Sequence, residues 1–127
     1  MTDLKTPLAK VRGLGSAKSG THHWLVHRIT AIANIPLVIF AVASAVGLAG
    51  KGYDAWAAWL AQPLVAVLMT LFAMNIFYHL RLGLQVLVED YVQGHGSKFV
   101  TMLLINFAVI FLAAVSVFSI LKVAFGG

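Results

Sequence analysis

Three long apolar stretches, separated by short polar or glycine-rich segments, dominate the pattern of residues along the chain. The first runs from about Ile29 to Leu48, the second from about Pro63 to Val88 and the third from about Phe99 to Val123. Each reaches the roughly 20 residues that an α-helix needs to cross a hydrocarbon core of about 30 Å. Unbroken helices are what lipid permits, because no water is present there to satisfy a free backbone amide. The pattern therefore predicts an all-α integral membrane protein with three transmembrane helices, at about 29–48, 63–88 and 99–123, in a single domain covering 1–127. Residues 1–28 read as a cytoplasmic arm. Its first part carries Pro7, Gly13, Gly15 and Gly20 among scattered Lys and Arg, a composition that breaks helices and stays hydrated.

Details at the boundaries fit this division. Pro36 predicts a kink within the first span, and Gly47, Gly50 and Gly52 end it. Trp24 marks the inner interface. Tyr53, Trp56 and Trp59 place the segment before the second span at headgroup level, where amphipathic rings are favoured. Pro63 suits a first helical turn, and Glu89 and Asp90 return the second helix to water before a turn at Gly94 and Gly96. No ionisable group interrupts the third span until Lys122, and the chain stops at Gly126 and Gly127.

Composition sharpens the class. Of 127 residues, 61% are hydrophobic and 10% charged, far from the balance of a water-soluble domain. The net charge of +5 could indicate nucleic acid, but Lys5, Lys10, Arg12, Lys18 and Arg28 precede or open the first span, against Lys51 alone in the loop after it. That asymmetry is the positive-inside pattern, with attraction to anionic headgroups, rather than a surface that reads bases. It puts the amino end in the cytoplasm and the carboxyl end outside. No cysteine is present, which excludes disulfides and any iron–sulfur cluster held by this chain alone. The first apolar run has no small-residue cleavage pattern, so it should stay in the mature protein.

The candidate chemistry lies in the few polar residues of the spans. His79 is the histidine well inside an apolar stretch, where an ionisable group is costly and a functional candidate by default. It could simply hydrogen-bond a neighbouring helix. Alternatively, Gly83, one turn further on the same face, clears space for a flat macrocycle, and neutral imidazole is a common axial ligand of haem iron. Gly83 could equally admit a close helix, and Asn75, one turn earlier, could face either the macrocycle or a helix. Counted from Val88, His79 lies about nine residues deep, or roughly 13 Å. His27 sits beside Arg28 at the cytoplasmic edge, at a different level, so a second haem ligand should come from another polypeptide. Arg28 either snorkels to water or pairs with a haem propionate or a quinone headgroup. Arg81 projects to another face than His79 and receives no cofactor role. Tyr91, beside Asp90 at the end of the second span, is either an interfacial tyrosine or a phenol able to donate to a quinone carbonyl. His22, His23 and His95 fall in hydrated segments and read as exposed.

The stretch from His79 through Gly83 to Glu89-Asp90-Tyr91-Val92 resembles the D-type hydrophobic membrane anchor of succinate dehydrogenase, respiratory complex II: a histidine, a glycine four on, and an Asp-Tyr pair eleven and twelve on. Ser19 to Trp24 and His27 to Ile32 are similar to the family's entry into its first span. The resemblance implies that His79 is one axial ligand of a haem b whose other ligand belongs to the sister anchor. It implies that Tyr91, with Asp90 beside it, binds the quinone, and that Arg28 faces the propionates and the quinone pocket. The implied partners are a flavoprotein, an iron–sulfur protein and a second membrane anchor, passing electrons from succinate to quinone in the tricarboxylic acid cycle and respiratory chain. The chain would be an anchor with no catalytic residue of its own, and nucleic acid is not an expected partner. The C-type anchor of the same complex is the neighbouring alternative, disfavoured by the Asp90-Tyr91 ending; a non-redox structural or transport component is the alternative from another class. The lack of an Arg- and Ser-rich leader favours a bacterial inner membrane over a mitochondrial one.

Overall fold

A computed structural model describes residues 6–13 and 18–126; Lys5, Gly15 and Gly127 lie outside them. Five helices follow one another: α1 Pro7–Val11, α2 Gly20–Leu48, α3 Tyr53–Leu60, α4 Pro63–Tyr91 and α5 His95–Ala124. Among the described residues there is no strand. The three long helices, α2, α4 and α5, are each long and apolar enough to cross a membrane.

The start of the chain differs from the helix-breaking segment expected. Pro7 occupies the first turn of α1, where its missing N–H costs nothing, and the Thr6 hydroxyl accepts from the Ala9 amide at 3.2 Å. Gly13, at φ +64°, adopts the left-handed conformation just after the helix ends. The helix holding the first apolar stretch begins at Gly20, well before Ile29, so residues 20–28 are helical and continuous with it. It also runs on through Pro36. The carbonyl of Ile32, which would accept from residue 36, loses that partner because proline carries no N–H.

Few side chains are buried. Leu48, Val65, Ala73, Leu82, Val88 and Val109 form a thin apolar seam, with Leu82 only 3% exposed, while Ile39, Phe107, Phe111 and Phe118 are each about two-thirds exposed. Large apolar side chains turned outward are what lipid tails or neighbouring transmembrane helices require. Polar groups supply much of the specificity between helices. Asn75 on α4 donates both amide hydrogens to α2, to the Thr30 carbonyl at 2.9 Å and the Asn34 side-chain oxygen at 2.8 Å. Arg81 donates to Asn106 of α5 at 2.6 Å. Near the α4–α5 turn, where Gly94 takes φ +87°, Lys98 donates to the Glu89 carbonyl at 2.7 Å. At the opposite end Trp59 of α3 stacks on Phe40 of α2 at 6.0 Å between centroids, and within α3 it meets Trp56 edge-on at the same distance.

Asn75→Leu should remove both bonds to α2. With interhelical hydrogen bonds averaging about 0.6 and reaching about 1.7 kcal/mol in lipid, reversible unfolding in mixed micelles should show a loss of about 1–2 kcal/mol. Ile76→Leu, a neighbouring position that is partly exposed, should leave the unfolding free energy unchanged.

Candidate functional site

Because α2 and α4 run antiparallel, Thr30 meets His79 one turn away from where Asn34 meets Asn75. Residues four apart share a helix face, so one face of each helix presents two polar groups to the other. At the His79 position the Thr30 hydroxyl oxygen lies 2.9 Å from the imidazole Nδ1. Thr30 is the one buried polar residue among the described residues, at 7% exposure. No hydrogen bond to His79 Nε2 is formed among the described residues.

His27 is where the sequence-based expectation needs correction. Its ring stacks on that of His79, with centroids 4.5 Å apart and planes within 5° of parallel. The two imidazoles are therefore at one level. Counting the first helix from Ile29 misplaces His27, because α2 begins at Gly20 and His27, two turns into that helix, reaches the ring of His79. The stacking still leaves His27 unsuited as the opposite axial ligand, since such a pair must point ring nitrogens at each other across a macrocycle and cannot lie face to face. His23 continues the column at 6.5 Å from His27. It is half-buried, with its Nε2 enclosed and without a hydrogen-bond partner, unlike the exposed side chain expected; His22 and His95 are exposed.

The other expected residues are distributed along α2 and α4. Gly83 is open: a Cβ built there would meet nothing within 4 Å. Among the described residues no other helix comes within 4 Å of that position. Asn75 engages α2 and Arg81 engages α5, so within this chain both serve contacts between helices. Arg28 is exposed, with its guanidinium carbon 5.3 Å from the centre of the Trp24 ring, a cation–π contact. Tyr91, the last residue of α4, is 80% exposed. Asp90 is exposed too and borders a polar hollow of about 280 Å³ with Glu89, Gly94, His95 and Lys98. His79 and Tyr91 are twelve residues apart on one helix, about 18 Å along its axis, and so are not brought together. Sequence reasoning missed Thr30. The available signal was the matched spacing of Thr30 and Asn34 on one helix and Asn75 and His79 on the other.

The succinate dehydrogenase/fumarate reductase transmembrane subunits match this chain over residues 2–120. The chain belongs to that family. Succinate dehydrogenase hydrophobic membrane anchor subunits are among its relatives. That of Rickettsia bellii is 35% identical over 94 residues, covering 71% of this chain and 72% of that one. That of Paracoccus denitrificans is 32% identical over 127 residues, covering 95% and 93%. A succinate dehydrogenase membrane anchor subunit of Reclinomonas americana is 25% identical over 92 residues, covering 70% and 77%. No solved structure matches the chain. Family membership and three spanning-length apolar helices together make this a multi-pass membrane protein.

The open face at Gly83 separates two kinds of packing. Gly83→Ala should not lower the unfolding free energy of the chain's own bundle in micelles, because the added Cβ meets no atom of it within 4 Å. The same substitution should reduce recovery of the chain's membrane-extracted assembly, measured as co-purified subunits per anchor.

Proposed function

We propose that this chain is the D-type anchor of a succinate:quinone oxidoreductase, in which His79 ligates a haem b shared with the sister anchor, and Tyr91, Asp90 and Arg28 contribute to the quinone site. One observation carries the reading: a half-buried imidazole, held through Nδ1 by Thr30 with no hydrogen bond at Nε2, sits one turn from the unfilled face at Gly83. A neutral imidazole with an available nitrogen is the donor that haem iron takes. Among the described residues no three His, Cys, Asp or Glu converge to hold a bare metal ion, so a macrocycle supplying four nitrogens fits this donor set better than a protein-only metal site. When bound, the haem supplies one-electron redox chemistry.

The chain's own residues orient and bind. His79 would hold the haem iron, and Asn75 clamps α4 to α2 one turn away. The Arg28 guanidinium, exposed beyond its contact with Trp24, retains N–H groups for a propionate or a quinone oxygen. The Tyr91 phenol can donate to a quinone carbonyl, and at 80% exposure it needs facing residues from other polypeptides to enclose a headgroup. The partners in this reading are the flavoprotein, the iron–sulfur protein and the second membrane anchor. The Asp90-Tyr91 ending favours the D-type over the C-type anchor. The Rickettsia and Paracoccus relatives and the cluster of basic residues before the first apolar stretch support a bacterial inner membrane with the amino end in the cytoplasm.

Purification in mild detergent should bring along a flavoprotein, an iron–sulfur protein and a second small membrane chain. In that complex His79→Ala should abolish or alter the b-haem spectrum. Tyr91→Phe, removing one hydrogen-bond donor, should lower succinate:quinone reductase activity about tenfold and leave the haem spectrum unchanged. A stable lone chain carrying a full complement of haem would refute the assignment.

A further inference from the structure

The Thr30 hydroxyl has three neighbours and one hydrogen. Its oxygen lies 2.9 Å from the Val26 carbonyl and 3.0 Å from the His27 carbonyl, and it donates to this pair in the manner of a helical threonine bonding back along its own helix. Carbonyls only accept, so the hydrogen is committed to them. The third neighbour, His79 Nδ1 at 2.9 Å, must then be the donor. A neutral imidazole carries one N–H. With the proton on Nδ1, Nε2 bears the lone pair.

We propose that Thr30 is a positioning residue for His79, its oxygen holding the Nδ1–H tautomer and the ring orientation so that Nε2 is presented as the metal-binding nitrogen. Three features restrict the alternatives at this spot. Thr30 is buried, so water does not compete for its oxygen. The Asn75 bond to the Thr30 backbone carbonyl fixes α2 against α4 at this same residue. The His27 ring lies flat on that of His79 and limits its rotation about χ2. Hydrogen bonds to the far nitrogen of a ligating histidine set its tautomer and raise its donor strength, and their loss typically weakens metal affinity about 10–100-fold. The inference rests on the reading of His79 as a haem ligand and adds a residue on the other helix that prepares it.

The test uses the intact detergent-extracted complex with Thr30→Val, close in shape but lacking the hydroxyl, and Thr30→Ser, which restores it. Readouts are haem retained per flavin under competition with apomyoglobin, the midpoint potential of the b haem, and pulsed EPR of the remote ligand nitrogen with ¹⁵N-histidine. Thr30→Val should release haem about 10–100-fold more readily and raise the potential, because a weaker donor stabilises ferric iron less. Thr30→Ser should return both toward wild type. A Thr30→Val complex that is merely less stable, with wild-type potential and nitrogen coupling, overturns the proposal. If Thr30→Val does not assemble, the wild-type complex decides: a remote-nitrogen coupling typical of a hydrogen-bonded N–H supports it, and one typical of an unbonded N–H overturns it. A wild-type haem spectrum that survives His79→Ala removes the underlying ligand assignment instead, and Thr30 loses its role with it.

Discussion

The hydrogen bonds between α2 and α4 are the constraint on which the rest of this structure depends. In a bilayer the hydrophobic effect does not drive helices together, because a lipid tail is as apolar as a leucine. What remains is close packing and the need of each polar group to find a partner where water is absent. Thr30, Asn34, Asn75 and His79 answer that need jointly. A slip of one turn between the helices would set Asn75 against Val38 and His79 against Asn34, or Asn75 against Thr30 and His79 against Val26, and either way His79 would lose the Thr30 hydroxyl. The polar groups therefore fix the register, and the register brings the His27 ring onto that of His79.

The same economy appears between α4 and α5. Arg81 carries a charge within a helix of spanning length and donates to Asn106 rather than to anything near His79. One helix thus turns His79 toward α2 and Arg81 toward α5, and Gly83 stays open to whatever lies outside the bundle. A surface so rich in exposed Phe, Ile and Leu, with an open face at Gly83 and an exposed Tyr91 at the end of α4, is built to be covered by lipid and by other polypeptides. That fits a family of transmembrane subunits better than a self-contained channel, for which polar groups would be expected along a continuous lining.

Much of the architecture was legible in the chain itself. Three runs of apolar residues can only be helices if they cross lipid, and α2, α4 and α5 are those helices. Gly94 and Pro63 mark boundaries for reasons local to the backbone: one adopts positive φ, the other starts a helix without needing an amide. His79 stood out because an imidazole among apolar neighbours is costly. The start of α2 did not, because hydrated residues such as Ser19, Thr21 and His22 carry no strong signal for or against helix once a longer helix follows. Placing that start too late put His27 at a different level from His79, whereas their rings stack.

The sequence by itself determined the number of spans, their apolar character and the candidate status of His79, since these follow from hydration energies that each residue carries wherever it is placed. Only the tertiary structure decided that Thr30 is the partner of His79, that Asn75 reaches α2 and that His27 covers the ring. Those outcomes depend on the rotation and register of two antiparallel helices. Rotation and register are set by contacts between residues more than forty positions apart, which no local pattern encodes.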